Sequence, residues 1–188
     1  MSTAGPNAPG TMTDDAAVGT VAWSNPGNVA TSNDVRAIAS SGGATSHYLN
    51  CSNFGFAIPA GSTINGVTVS IERMSNRLTA VRYAIDSTVS LVKGGTVSGS
   101  NKADLVAKWP LTEAVATYGG ASDLWGLTLT DSDVNASTFG VVLSAFVTHD
   151  IASTSGQVDF ISITIDYTAG AAGVSIPVAS QSYRQRRV

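Results

Sequence analysis

Residues 157–168 read QVDFISITIDYT, and the fold is decided there. Ile161, Ile163, Ile165 and Tyr167 alternate with Ser162, Thr164 and Asp166. A period of two sends the apolar set to one face and the polar set to the other, the pattern of a half-buried strand. Val158 and Phe160 fall on the opposite parity, so a bulge is expected near Phe160. The same period recurs upstream. Val67, Val69 and Ile71 alternate with Thr68, Ser70 and Glu72. Val89 and Leu91 alternate with Thr88 and Ser90, and Gly94-Gly95 ends that strand. Leu127 and Leu129 alternate with Thr128 and Thr130. Phe139, Val141, Leu143, Ala145 and Val147 share one face of a longer strand. Val142 and Phe146 make its other face apolar too, as suits a strand at the centre of its sheet.

Shorter strands are expected near Val35–Ala39 and Tyr48–Cys51. Helical signals are thin. Thr130-Asp131-Ser132-Asp133 can cap one turn, and 103–107 can form another. No apolar stripe of helical period extends over three turns. Strands recurring between Gly, Asn and Ser turns predict an all-β fold, an antiparallel sandwich of jelly-roll-like topology. Residues 1–20 lack periodicity and read as an N-terminal arm, 21–168 as the sandwich, and 169–188 as a C-terminal arm.

Composition agrees with one domain. The chain has 188 residues, enough to bury a core without metals or disulfides. Only 12% of residues are charged, against a usual ~25%, and the net charge is −3. This excludes a disordered polyelectrolyte and argues against a broad nucleic-acid-binding face, which needs clustered Lys and Arg. The single Cys51 excludes an internal disulfide and a cysteine-rich zinc site, and reads as a buried thiol. No stretch approaches the ~20 apolar residues of a membrane span. The first twenty residues hold no Lys or Arg and no apolar core, so no signal peptide and synthesis in the cytoplasm are expected. The sequons at Asn50 and Asn135 then read as chance.

Little in the sequence points to catalysis. No phosphate-binding glycine loop, metalloprotease motif or nucleophile elbow is present. His47 and His149 read as loop or surface residues. Asp131-Ser132-Asp133-Val134-Asn135 opens like a calcium loop. Ala136 then stands where glycine is needed, and Val142 where a bidentate carboxylate is needed, so a helix cap explains it better. Glu72 and Asp86 could pair as glycosidase carboxylates, but nothing in the spacing sets their separation. No catalytic residue, cofactor or metal is expected.

Five stretches carry a resemblance: GFAIPAGSTINGVTVSIER at 55–73, DSTVSLVKGG at 86–95, WPLTEAVATYGGASDLWGLTLT at 109–130, DVNASTFGVVLSA at 133–145 and QVDFISITIDYT at 157–168. From about Trp23 to Thr168 the chain resembles a β-sandwich domain of tailed-phage and prophage virion structural proteins. The resemblance implies a virion part and supplies no catalytic residues. The expectation is a bacteriophage capsid decoration or cement protein, or a head-attached fibre, made in the host cytoplasm. Its partners would be coat or other virion proteins and sister copies, in a homo-oligomer for which a trimer is one arrangement, with no nucleic acid and no membrane.

Two surfaces are candidates for contact. The C-terminal arm alternates Val174, Ile176 and Val178 and ends in Arg184, Arg186 and Arg187. Such a segment can add to a sheet edge, and its guanidinium groups can fork onto carboxylates. The loop 109–126 holds Trp109, Tyr118 and Trp125. The two tryptophans are more readily core plugs, but exposed the three aromatics would suit the alternative function, a tail-fibre or receptor-binding module that recognises cell-surface glycan.

Overall fold

The computed structural model describes residues 1–148 and 154–170. In chain order the strands are β1 (Ser2–Asn7), β2 (Thr11–Asp15), β3 (Trp23–Ser24), β4 (Ala37–Ser41), β5 (Ala44–Thr45) and β6 (Tyr48–Ser52). They continue as β7 (Thr63–Ser75), β8 (Ala84–Lys93), β9 (Thr96–Ser98), β10 (Ala114–Gly120), β11 (Gly140–Val147) and β12 (Thr154–Thr168). A 3₁₀ turn covers Pro26–Val29, and one short helix, α1, covers Asp131–Asn135. The strands form two antiparallel sheets. One has the order β10-β7-β12-β4-β3, with β1 also on β12. The other has the order β2-β6-β11-β8-β9, with β5 also on β11. The fold is thus an all-β antiparallel sandwich, as the alternation predicts.

The core follows from parity. Val67, Val69 and Ile71 of β7 and Ile161, Ile163 and Ile165 of β12 are buried and face Leu49, Cys51, Val89, Leu91, Val141 and Leu143 of the other sheet. Each fully buried Ile or Leu side chain contributes about 1.5–3 kcal/mol relative to exposure. Strand β11 is central in its sheet and buried on both faces, which explains why its sequence is apolar at both parities. The expected bulge exists. Pairing of β12 with β7 shifts register between Val158 and Phe160, and the extra residue is Asp159.

Several elements differ from the sequence expectation. Residues 1–20 are not an extended arm. β1 pairs with β12 from Ser2↔Tyr167 to Asn7↔Ile163, and β2 pairs with β6 from Thr11↔Ser52 to Asp15↔Tyr48. These are outer strands, held by backbone ladders and by partly buried Ala4 and Met12. A strand with one wet face and one open edge needs little apolar alternation, so its sequence looks like a tail. The strand expected over 127–130 is irregular chain whose one backbone bridge among the described residues is Thr63↔Thr130. The turn expected at 103–107 is not helical. Asp104 Oδ1 instead accepts the N–H groups of Val106 and Ala107 at 3.0 and 2.9 Å, closing a local turn. The expected loop 109–126 contains the edge strand β10.

Candidate functional site

The three candidate glycan aromatics are sealed inside the sandwich. Trp109 and Trp125 are fully buried and Tyr118 is 7% exposed. Trp125 adopts left-handed backbone (φ 56°), and its indole Nε1 donates to the carbonyl of Val67 at 2.9 Å. Its own N–H donates to Asp123 Oδ1 at 2.8 Å, and Lys102 Nζ binds the other oxygen of Asp123 at 2.6 Å. This set pins the loop after β10 against β7. No face of either Trp is available for stacking on a sugar.

Trp109 and Tyr118 instead belong to a buried polar centre between the sheets. Asp86, on β8, accepts four donors. Arg73 Nη1 and Trp109 Nε1 reach Oδ1 at 2.6 and 2.8 Å. Tyr118 OH and the backbone N–H of Asp104 reach Oδ2 at 2.8 and 3.0 Å. The Arg73 guanidinium also lies over the Trp109 ring at 4.9 Å and the Tyr118 ring at 5.9 Å. Burial raises the Asp86 carboxyl above its usual range, while Arg73, Tyr118 and the Asp104 N–H pull it back. Burial, together with the Asp86 charge, pushes the Tyr118 phenol up as well. Every acceptor position of the carboxylate is engaged by protein, so the centre ties β7, β8, β10 and the 104–109 segment together.

The paired-carboxylate reading of Glu72 and Asp86 fails on geometry. Asp86 points between the sheets. Glu72 has the opposite parity to Ile71 and Arg73 and lies on the outer face of the other sheet. The calcium-like stretch is a helix start. Thr130 Oγ1 accepts from the Asp133 N–H at 3.1 Å, and Asp133 Oδ2 accepts from the Thr130 N–H at 2.9 Å, a capping box. Cys51 is buried, and desolvation raises its thiol far above the usual range, consistent with an inert packing role. His47 Nδ1 lies 2.9 Å from Asp14 Oδ2, and the His47 carbonyl accepts the Trp23 indole N–H at 2.9 Å. His149 and the candidate arm residues Val174, Ile176, Val178, Arg184, Arg186 and Arg187 lie outside the described residues.

Two surface features were not singled out in the sequence. The first is apolar. Leu78 and Val81 in the β7–β8 loop, and Leu105, Val106 and Leu111 in the segment before β10, are exposed, Val81 by 66% and Val106 by 86%. Lys108 Nζ joins the two segments by donating to the carbonyls of Thr79 and Ala80 at 3.0 and 3.3 Å. Five exposed large apolar side chains therefore lie on two segments that Lys108 ties together. Their loops show no period, so sequence patterning could not group them.

The second is acidic. Asp34, Glu113 and Asp159 offer carboxylate oxygens within 4.8 Å of one another. Arg36 braces two of them, with Nη2 on Asp34 Oδ1 at 2.7 Å and Nε on Glu113 Oε2 at 2.8 Å. Asp159 Oδ2 accepts the Asn33 N–H at 2.9 Å, and its Oδ1 is buried with no partner. An acid at the parity break of an otherwise apolar strand is the one sequence signal that could have pointed here.

No family model matches this sequence, and no curated protein matches it. Among solved structures, a chain titled "CBM4 structure and function" is similar at 9% identity and a TM-score of 0.36, over 73% of this chain and 87% of that one.

Proposed function

We propose that the chain is a non-enzymatic structural protein of a phage virion, a capsid decoration or cement protein or a head-attached fibre module. It binds coat subunits or sister copies through extended surface. The observation that carries the reading is the exposure of Leu78, Val81, Leu105, Val106 and Leu111 on two segments that Lys108 joins. Large apolar side chains held exposed on joined loops favour contact with another protein surface. The five stretches that resemble virion sandwich domains supply most of β7 and β8, all of β10, part of α1 with most of β11, and most of β12, so the resemblance runs through the folding frame. Repetition by particle symmetry lets contacts that are individually weak hold through multivalency. In this reading the C-terminal arm, 169–188, with its three arginines, adds a second point of attachment. The glycan-binding alternative loses its aromatic platform, because Trp109, Tyr118 and Trp125 serve the core.

The test is quantitative mass spectrometry of purified particles. Copy number comparable with the major coat protein is the expected result. A few copies per particle would move the chain to the tail or a vertex, and absence from particles would end the virion reading.

A further inference from the structure

We propose that Asp34, Glu113 and Asp159 form a binding site for a divalent cation of the calcium class, placed where the β12 bulge meets the segments that lead into β4 and β10. The argument starts from Asp159. Its residue is 1% exposed, and its Oδ1 is buried with no hydrogen-bond partner. Buried charges in folded proteins are paired or coordinate metals, because an unpaired buried carboxylate oxygen forfeits its hydration without return. Asp86, equally buried but ion-paired with Arg73, shows the contrast. Asp86 is surrounded by Arg73, Trp109, Tyr118 and the Asp104 N–H. Asp159 receives the Asn33 N–H alone, on Oδ2.

The neighbours of Asp159 add charge rather than donors. Arg36 takes Asp34 Oδ1 and Glu113 Oε2. Asp159 Oδ1 is left buried without a hydrogen bond, and Arg36 reaches Asp159 through its charge and not through a hydrogen bond. Three carboxylates against one guanidinium carry a formal charge of −2, which one divalent ion would neutralise. The spacing is compatible with a shared ion. Calcium–oxygen bonds of about 2.3–2.6 Å allow two ligands of one ion to lie up to about 5 Å apart. The three acids offer oxygens within 4.8 Å of one another.

The ligand set selects the class of ion. All donors are carboxylate oxygens, which disfavours soft metals. They come from three separate segments with unequal exposure, the Asp34 side chain at 84% and Glu113 at 22%. Calcium tolerates such irregular geometry, and water completes its shell on the open Asp34 side, whereas magnesium demands a near-ideal octahedron. The bulge has a purpose in this account. It turns one residue out of the strand's alternation and so brings an acid to the cluster.

The test uses the full chain. Thermal unfolding is followed in calcium chloride, in EDTA, and in sodium chloride of matched ionic strength. With three protein carboxylates the dissociation constant is expected near 10⁻⁴–10⁻³ M, as in weak sites, roughly speaking. At tenfold excess over that value the midpoint should rise by about 3–5 °C, and EDTA should reverse the rise. Asp159→Asn and Glu113→Gln should each abolish the calcium-specific rise. If Asp159→Asn does not fold, Glu113→Gln and Asp34→Asn decide the matter. A calcium response no larger than the sodium control overturns the proposal, and so does an undiminished response in the folded variants.

Discussion

Asp86 shows how one residue can be read for two opposite roles. In sequence it is an acid near a strand start, available for catalysis. In the structure it is the acceptor that Arg73, Trp109, Tyr118 and the Asp104 N–H converge on. Replacing it by Asn leaves the shape but strands the buried Arg73 cation, since one partner of a buried pair is removed while the other remains. Asp86→Asn should destabilise the fold by about 3–5 kcal/mol, measured by urea unfolding. A loss under about 1 kcal/mol would show that Arg73 finds other compensation and that the centre is not a structural tie. The aromatics follow the same logic. Trp109, Tyr118 and Trp125 each carry a polar atom that finds a buried partner, which is how large aromatics enter a core. Sequence named the residues and offered the core-plug reading; it could not supply the partners, which lie 23, 32 and 58 positions away along the chain.

At the scale of elements, legibility tracks how many apolar neighbours an element meets. β7, β8, β11 and β12 face the opposite sheet along most of their length, and their alternation was plain. The bulge in β12 was visible too, because a parity break in a strong pattern is conspicuous. β10 was missed: only Ala116 and Tyr118 turn inward, and Gly119-Gly120 weakens the pattern. The 127–130 stretch erred the other way. Leu127 and Leu129 alternate and pack on the core, but the stretch pairs with a strand only by the Thr63↔Thr130 bridge, so the chain stays irregular. Close approach between strands also sets limits that only geometry displays. Gly140 opens β11 opposite Ser52 of β6 and Val92 of β8. A methyl group on Gly140 would fall on the carbonyl oxygen of Cys51. Gly140→Ala should therefore cost more than about 2 kcal/mol and loosen the β6–β11 ladder, seen as faster amide exchange in β6. Unchanged stability would mean the two strands can part without loss.

At the scale of the whole molecule, the N-terminal strands join both sheets. β1 closes on the distal half of β12, and β2 edges the other sheet on β6. Deleting residues 1–16 removes a strand from each sheet and should lower the thermal midpoint by about 10 °C or more. A dispensable arm would leave the midpoint unchanged, so calorimetry of the truncated chain separates the two pictures. The sequence by itself determined the class of fold, the central strands, the bulge and the capped turn at 130–135. Each of these is local: a period of two, a break in that period, or a side chain that bonds the backbone three residues away. The tertiary structure alone decided that residues 2–7 and 11–15 are sheet strands, which buried partners the tryptophans find, that Asp86 is tied by four donors, and that Asp34, Glu113 and Asp159 meet. Those facts depend on contacts between residues far apart in the chain, and no local pattern encodes which distant partner a polar atom or an edge strand will find.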